Sequence, residues 1–162
     1  MPEPQQIIER IAESIAAAAP RGWSSVSVTV RASVLVQEFA VTVRTSDGGS
    51  PGMDTPAAVK ADFAELRPLM YEPGRGTWFS ATLTVTAPDQ HSIDFNYDRD
   101  PQWWPDLPPV VFSSDLAEFP RDAAHIPPWL AEKLERAAAD GAALDAAQGG
   151  ESASGTEPPG RR

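Results

Sequence analysis

The sequence of 162 residues contains no cysteine, and this absence excludes several kinds of site. A disulfide framework, a thiolate metal site and a cysteine nucleophile each need at least one thiol. A chain of this length buries a sufficient core without covalent or metal crosslinks. We therefore predict one compact domain, and the lack of cysteine agrees with a cytoplasmic location.

Basic residues are scarce: 13 Lys and Arg stand against 23 Asp and Glu, which gives a formal net charge of −10. Such a charge repels nucleic-acid phosphates and anionic membrane surfaces, so neither is expected as a partner. No apolar run approaches the roughly 18 residues of a membrane span. The first twenty residues lack the basic start of a secretory signal. We therefore expect a soluble, cytoplasmic protein.

Apolar spacing predicts seven elements in the order α-β-β-α-β-β-α. Helical spacing marks three segments, and alternation of apolar and polar residues marks four strands. This order is typical of an α+β fold, here an antiparallel sheet of about four strands with helices on one face. The apolar positions are, in chain order, Ile7, Ile8, Ile11 and Ile15; Val26, Val28 and Val30; Leu35, Phe39, Val41 and Val43; Val59, Phe63, Leu66 and Met70; Phe79, Ala81, Leu83 and Val85; Ile93, Phe95 and Tyr97; and Trp129, Leu130 and Leu134.

Glycine and proline mark the segments between these elements. Residues 46–52 contain three glycines and a proline, which predicts a flexible loop. Prolines crowd residues 101–128 and predict an extended, irregular segment wrapped on the domain. Beyond residue 140 large apolar residues are nearly absent, so we predict a domain over residues 1–140 and a disordered tail over residues 141–162.

The stretch from residue 91 to residue 104, HSIDFNYDRDPQWW, superficially resembles the start of a calcium loop, because acidic or amide residues occur at every second position. Such a loop needs glycine at its sixth position and glutamate at its twelfth, where this chain has Arg99 and Pro105. Alternation along a strand explains the spacing of Asp94, Asn96 and Asp98 by itself. No metal site and no cofactor are predicted.

Catalytic motifs are also absent from the sequence. The only histidines, His91 and His125, lie in no nucleophile or zinc motif, and no glycine loop of the phosphate-binding kind occurs. Carboxylates two apart on a strand are usually solvated and have ordinary acidity, which does not suit general acid–base catalysis. We therefore predict that the protein is not an enzyme, with a small enzyme as the least favoured alternative.

Acidic residues concentrate between Asp89 and Asp122, where eight acids stand against two arginines. A surface of this charge attracts basic partners and accelerates their capture. Trp103 and Trp104 lie within the same stretch, and aromatic residues in a polar surround are common binding hot spots. Adjacent tryptophans in an extended segment cannot both face inward, so one of them is expected to be exposed or covered only by the proline-rich segment.

Several segments resemble bacterial immunity proteins of the YezG type. The resemblance covers residues 5–136, and it is clearest from residue 67 to residue 103, where a strand led by aromatic residues precedes a strand that ends in DFNYD, residues 94–98. The segment PRGWSSV, residues 20–26, is similar to the opening of that family. The segment over residues 115–134 looks like an actinobacterial version, close to immunity factors against NAD-degrading toxins.

The resemblance implies a small cytoplasmic antitoxin that binds and blocks the toxic domain of a secreted polymorphic toxin, either an NAD-consuming enzyme or a nuclease. It implies no catalytic residues. Alternatives are a secretion chaperone or another acidic protein-binding module, and the free protein is expected to be a monomer. The hypothesised toxin-binding residues are Asp98, Asp100, Trp103, Trp104, Asp106, Gly48 and Gly49.

Overall fold

A computed structural model describes residues 2–154 and confirms the predicted α+β fold. Within these residues the chain forms a four-stranded antiparallel sheet and four α-helices. The elements in chain order are α1 (Pro4–Ala18), β1 (Trp23–Ala32), β2 (Gln37–Thr45), α2 (Ala57–Leu69), β3 (Ser80–Thr86), β4 (Gln90–Asn96), α3 (Pro109–Glu118), a short 3-10 helix (Ala123–His125) and α4 (Pro128–Ser154).

The strand order is β2-β1-β3-β4, so β1 and β3 are central and β2 and β4 form the edges. The register places Val28 of β1 opposite Val41 of β2 and Leu83 of β3, and Leu83 opposite Ile93 of β4. Because side chains alternate along each strand, this register brings the apolar residues of all four strands to one face.

The core lies between that face and helices α1 and α2. The isoleucines of α1 and the valines of β1 are buried together with Phe63 of α2. The opposite face is lined by small hydroxyl side chains, with Ser27 3.4 Å from Thr84 and Thr29 3.4 Å from Thr82 between their oxygens. The sheet therefore has one face covered by helices and one polar face.

The proline-rich stretch contains a helix that the sequence analysis did not predict. We predicted an extended, irregular segment over residues 101–128, but residues 109–118 form α3. Pro108 is the N-cap and Pro109 is the first helical residue, a position where the missing N–H and the fixed φ of proline suit a helix. The next proline, Pro120, follows the end of α3. Proline starts and terminates this helix rather than preventing it.

Helices α3 and α4 build a second, smaller core next to the start of β3. Its buried members are Phe79, Trp103, Phe112 and Leu130. Trp129 of α4 joins them, with its ring centroid 4.9 Å from that of Phe79 and nearly perpendicular to it. This cluster attaches the C-terminal third of the domain to the sheet.

The main core and the smaller core are linked by a buried ion pair. Arg67 of α2 donates from Nη1 and Nη2 to the two carboxylate oxygens of Asp115 on α3, at 2.6 and 2.9 Å. Arg67 Nε also donates to the carbonyl of Trp78 at 2.9 Å, and the backbone N–H of Val34 donates to Asp115 Oδ1 at 2.8 Å. The two side chains are 3% and 12% exposed. One polar contact therefore joins α2, α3, the segment just before β3 and the β1–β2 hairpin.

The final helix extends beyond the predicted domain boundary. Helix α4 continues past Asp140 to Ser154, and every side chain from residue 141 to residue 147 is exposed. These side chains therefore lie mainly in solvent. Disorder of residues 141–162 stays a prediction, and its last part, residues 155–162, lies outside the described residues. Between residues 2 and 154, no helix combines the length and apolar character needed to cross a bilayer.

The buried ion pair predicts that substitutions of two acidic residues differ in their effect on the free energy of unfolding. Asp115→Ala should lower the free energy of unfolding by about 3 kcal/mol or more, because it leaves the Arg67 guanidinium buried without a counter-charge. Glu132→Ala removes an acid from the exposed pair with Arg136 on α4 and should change it by less than about 0.5 kcal/mol. Urea unfolding of both variants measures the difference, and equal losses would contradict the structural role of the pair.

Candidate functional site

The hypothesised toxin-binding residues lie mainly in the segment from the end of β4 to α3. Asn96, the last residue of β4, is buried and holds the start of this segment. Its Oδ1 accepts hydrogen bonds from the backbone N–H groups of Asp98 and Arg99, at 3.2 and 2.8 Å, and its Nδ2 donates to Ser80 Oγ at 3.1 Å. The segment of residues 98–106, called the tryptophan segment below, therefore starts from a fixed turn.

Two further contacts hold the backbone of the tryptophan segment. Trp129 Nε1 of α4 donates to the carbonyl of Asp98 at 2.8 Å, and Arg31 Nε of β1 donates to the carbonyl of Pro101 at 2.6 Å. Gln102 has a positive φ of 58°, a backbone conformation uncommon for residues other than glycine. Its N–H donates to the Asp100 carboxylate at 2.8 Å. The segment is thus irregular in conformation but attached to both α4 and the sheet.

The two tryptophans have opposite environments. Trp103 is 7% exposed and packs in the smaller core with Phe112 and Leu130, whereas Trp104 is 85% exposed. The expectation that one of the pair is exposed is therefore confirmed. Trp103 anchors the segment to the domain, and its neighbour Trp104 presents a large aromatic ring to solvent.

Three exposed carboxylates belong to the same segment: those of Asp98, Asp100 and Asp106. Asp106 also forms an ion pair with Lys133 of α4, whose Nζ lies 2.8 and 3.1 Å from the two carboxylate oxygens. The hydrogen bond from Lys133 lowers the pKa of Asp106 below its usual range. The ammonium group therefore favours the ionised form of this carboxylate.

Two arginines lie close to this acidic group. A polar cavity of about 460 Å³ on the hydroxyl face of the sheet is lined by Asp100, Gln102, Arg31 and Arg99, among others. Arg31 is also paired with Glu38 on β2, at 2.7 Å. The surface around the tryptophan segment is therefore mixed in charge near Asp100 and near Asp106, which is paired with Lys133.

The glycine-rich loop lies at a different corner of the sheet. Gly48 and Gly49 follow the end of β2, at the sheet end where β1 begins, whereas the tryptophan segment follows β4, at the end where β1 finishes. Strand dimensions place these corners roughly 25 Å apart. The structure therefore does not bring Gly48 and Gly49 together with the other hypothesised residues. A single partner would contact the glycine-rich loop and the tryptophan segment only by spanning the sheet.

Hydrogen bonds close the turn in that loop. The N–H of Gly48 donates to the carbonyl of Thr45, and the N–H of Thr45 donates to the carbonyl of Gly49, both at 3.0 Å. Asp47 accepts hydrogen bonds from the Thr45 hydroxyl and the Gly49 N–H, which together lower the pKa of its carboxyl. The first residues of the predicted flexible loop thus form a hydrogen-bonded turn.

The two histidines of the chain lie apart from the tryptophan segment. His91 lies on β4 near the β3–β4 turn, whereas His125 lies in the 3-10 helix that follows α3. Among the side chains that the structure describes, no three from histidine, aspartate or glutamate converge as ligands for a metal ion. Exposed aromatic and carboxylate groups of this kind recognise a partner through shape and charge.

One exposed apolar feature was missed from the sequence. We predicted Leu35 on the apolar face of β2, but residues 33–36 form the tip of the β1–β2 hairpin, where Leu35 is 63% exposed. The three consecutive residues Val34, Leu35 and Val36 break the two-residue alternation of the flanking strands, and this break was the available signal. The hairpin tip is thus an additional candidate for partner contact.

No model of a known protein family matches this chain, and no curated protein matches it either. The resemblance to immunity proteins of the YezG type stays a prediction.

The opposite environments of the two tryptophans predict opposite effects of substitution. Trp103→Ala should lower the free energy of unfolding by about 3–5 kcal/mol, because it opens a cavity in the smaller core. Trp104→Ala should change it by no more than about 0.5 kcal/mol, because the ring is exposed. Urea unfolding of the two variants tests this. A large loss for Trp104→Ala would show that this ring is part of the packed structure.

The Asp106–Lys133 pair predicts a shifted titration. In Lys133→Met the pKa of Asp106 should rise toward the usual value of about 3.9. Because the pKa of Asp106 is lower in the folded state, the pair stabilises the protein at pH values above the unfolded-state pKa. This contribution is lost as the pH falls through the folded-state pKa. NMR titration of the aspartate carboxyl carbons measures the change. Lys60→Met on α2 serves as a control, and an Asp106 pKa unaffected by Lys133→Met would contradict the assignment.

Proposed function

We propose that this chain is an immunity protein that binds the toxic domain of a secreted toxin and covers its active site. The observation that carries the proposal is the 85% exposure of Trp104 on a segment that is anchored to the domain and also carries the exposed residues Asp98, Asp100 and Asp106. The resemblance of residues 5–136 to YezG-type immunity proteins supplies the class of partner.

An exposed tryptophan beside a fixed backbone has the properties of a binding hot spot. Its ring offers a large apolar area together with an N–H donor, and it loses little conformational freedom on binding. Asn96, Arg31 and Trp129 already hold the backbone that carries Trp104. The segment is therefore largely ordered in the free protein, so binding loses little conformational entropy there, which favours affinity.

The charge of the chain favours a basic partner. At −10, the protein attracts positively charged surfaces and accelerates their encounter. Enzymes that consume NAD or cleave nucleic acids bind anionic substrates, so the entrance to such an active site commonly carries basic residues. Blocking an entrance of this kind needs complementary shape and charge, and it requires no catalytic group in the inhibitor.

Co-expression tests the proposal directly. The gene should adjoin one that encodes a large secreted protein with a toxic C-terminal domain, and expression of this chain should rescue cells from that domain.

Trp104→Ala should weaken binding to the toxic domain by roughly 30-fold, the loss typical of a central aromatic anchor. Asp98→Lys with Asp100→Lys should slow association, with a smaller effect at high salt. Calorimetry and stopped-flow binding measure these changes.

Asp89→Lys is a matched control, because Asp89 is an exposed acid in the β3–β4 turn at the opposite end of the sheet. It should leave affinity nearly unchanged. If expression of this chain rescues cells from none of the neighbouring toxic domains, the immunity role is refuted. Binding to the amino-terminal export region of the toxin without rescue would instead identify a secretion chaperone.

A further inference from the structure

The tip of the β1–β2 hairpin carries an exposed apolar patch. Val34, Leu35 and Val36 are 39%, 63% and 36% exposed. The other exposed large apolar side chains of the described residues are isolated in the sequence; they are Trp104, Val110 and Leu144. Contiguous apolar exposure of this kind is characteristic of interaction sites.

Hydrogen bonds hold the patch in one conformation. Ser33 Oγ accepts from the N–H groups of Leu35 and Val36, at 3.2 and 2.9 Å, and the Ser33 N–H donates to the Val36 carbonyl at 2.8 Å. The N–H of Val34 donates to Asp115, which is held in turn by Arg67. The apolar tip is therefore attached to the buried ion pair, and its presentation to a partner requires no ordering of the loop.

A groove of about 520 Å³ lies between this tip and helices α2 and α3. Its apolar lining includes Ala64 and Pro68 of α2 and Phe119 at the end of α3, in addition to the tip itself. A water molecule occupies about 30 Å³ in the liquid, so this space is ample for a large apolar side chain. The tip and the groove together form one concave surface, called the hairpin groove below.

The charge at the hairpin groove selects the kind of occupant. Two charged residues line it: Arg67, which is buried and paired with Asp115, and Glu118, which is exposed and forms no ion pair with another described residue. A second copy of this chain would bring another charge of −10 and be repelled. Three tip residues also provide far less than the roughly 800 Å² per partner of a stable interface. The charge therefore favours a basic occupant, and the small area favours a short segment of another protein over a second folded copy.

We propose that the hairpin groove binds a large apolar side chain of a partner protein with a neighbouring lysine or arginine. The apolar side chain lies against Pro68, Phe119 and Leu35, and the cation pairs with Glu118. This inference rests on the proposal that the chain acts by binding a protein, and it adds a second surface to the tryptophan segment. Both surfaces lie at the sheet end where β1 finishes.

Selection from a phage-displayed library of random linear peptides tests the proposal without knowledge of the toxin. Peptides enriched on the wild-type protein over Leu35→Asp should carry a large apolar residue next to lysine or arginine. A synthetic copy of the most enriched peptide should bind Leu35→Asp at least about 10-fold more weakly than wild type. Glu118→Gln should weaken binding by a smaller factor and reduce its dependence on salt.

Leu144→Asp makes the same exchange at an exposed leucine of α4 and should bind the peptide as wild type does. Thermal melting of Leu35→Asp should match wild type, since the side chain lies mainly in solvent. No enrichment, enrichment of acidic peptides, or equal binding to Leu35→Asp would overturn the proposal. A wild-type dimer in sedimentation that Leu35→Asp dissociates would also overturn it, by making a second copy the occupant.

The two proposals fail separately. Rescue of cells without selection of basic–apolar peptides would overturn the hairpin groove and leave the immunity role standing. Selection of such peptides without rescue from any neighbouring toxin would refute the immunity role and support the groove as a peptide-binding surface.

Discussion

The buried pair between Arg67 and Asp115 is the contact on which the arrangement of the domain depends. A buried guanidinium and carboxylate are costly unless every donor and acceptor has a partner. Here the pair is bidentate, and its remaining groups reach the carbonyl of Trp78 and the N–H of Val34. Because these partners belong to different parts of the chain, satisfying one charge pair positions α2, α3, the segment before β3 and the β1–β2 hairpin relative to one another.

This constraint gives the two ends of the sheet different characters. At the end where β1 begins, the chain forms a hydrogen-bonded turn around Gly48 and Gly49. At the end where β1 finishes, the smaller core supports the tryptophan segment, and the ion pair supports the hairpin tip. Rigid backbone that presents exposed aromatic or apolar groups is thus concentrated at one end, as expected of a surface that recognises a folded partner.

Regular periodicity in the sequence was sufficient to predict most of the elements. The valines of β1 alternate with serines and threonines, and the isoleucines of α1 recur at helical spacing, so burial of one face follows from the pattern alone. Prediction failed where the same residue type is compatible with two backbone conformations. Pro109 starts a helix instead of interrupting one, and Leu35 continues an apolar pattern into a turn. In both places the backbone conformation depends on contacts with distant residues.

The sequence by itself determined the α+β class, the acidic charge and the absence of thiol chemistry, because composition and short-range periodicity carry this information. It also predicted that one residue of the tryptophan pair would be exposed, but not which one. Tertiary structure decided that Trp103 enters the smaller core while Trp104 faces solvent, and that Gly48 and Gly49 lie far from both. Such outcomes depend on which elements pack against each other, and this packing is determined by contacts between residues distant in the sequence.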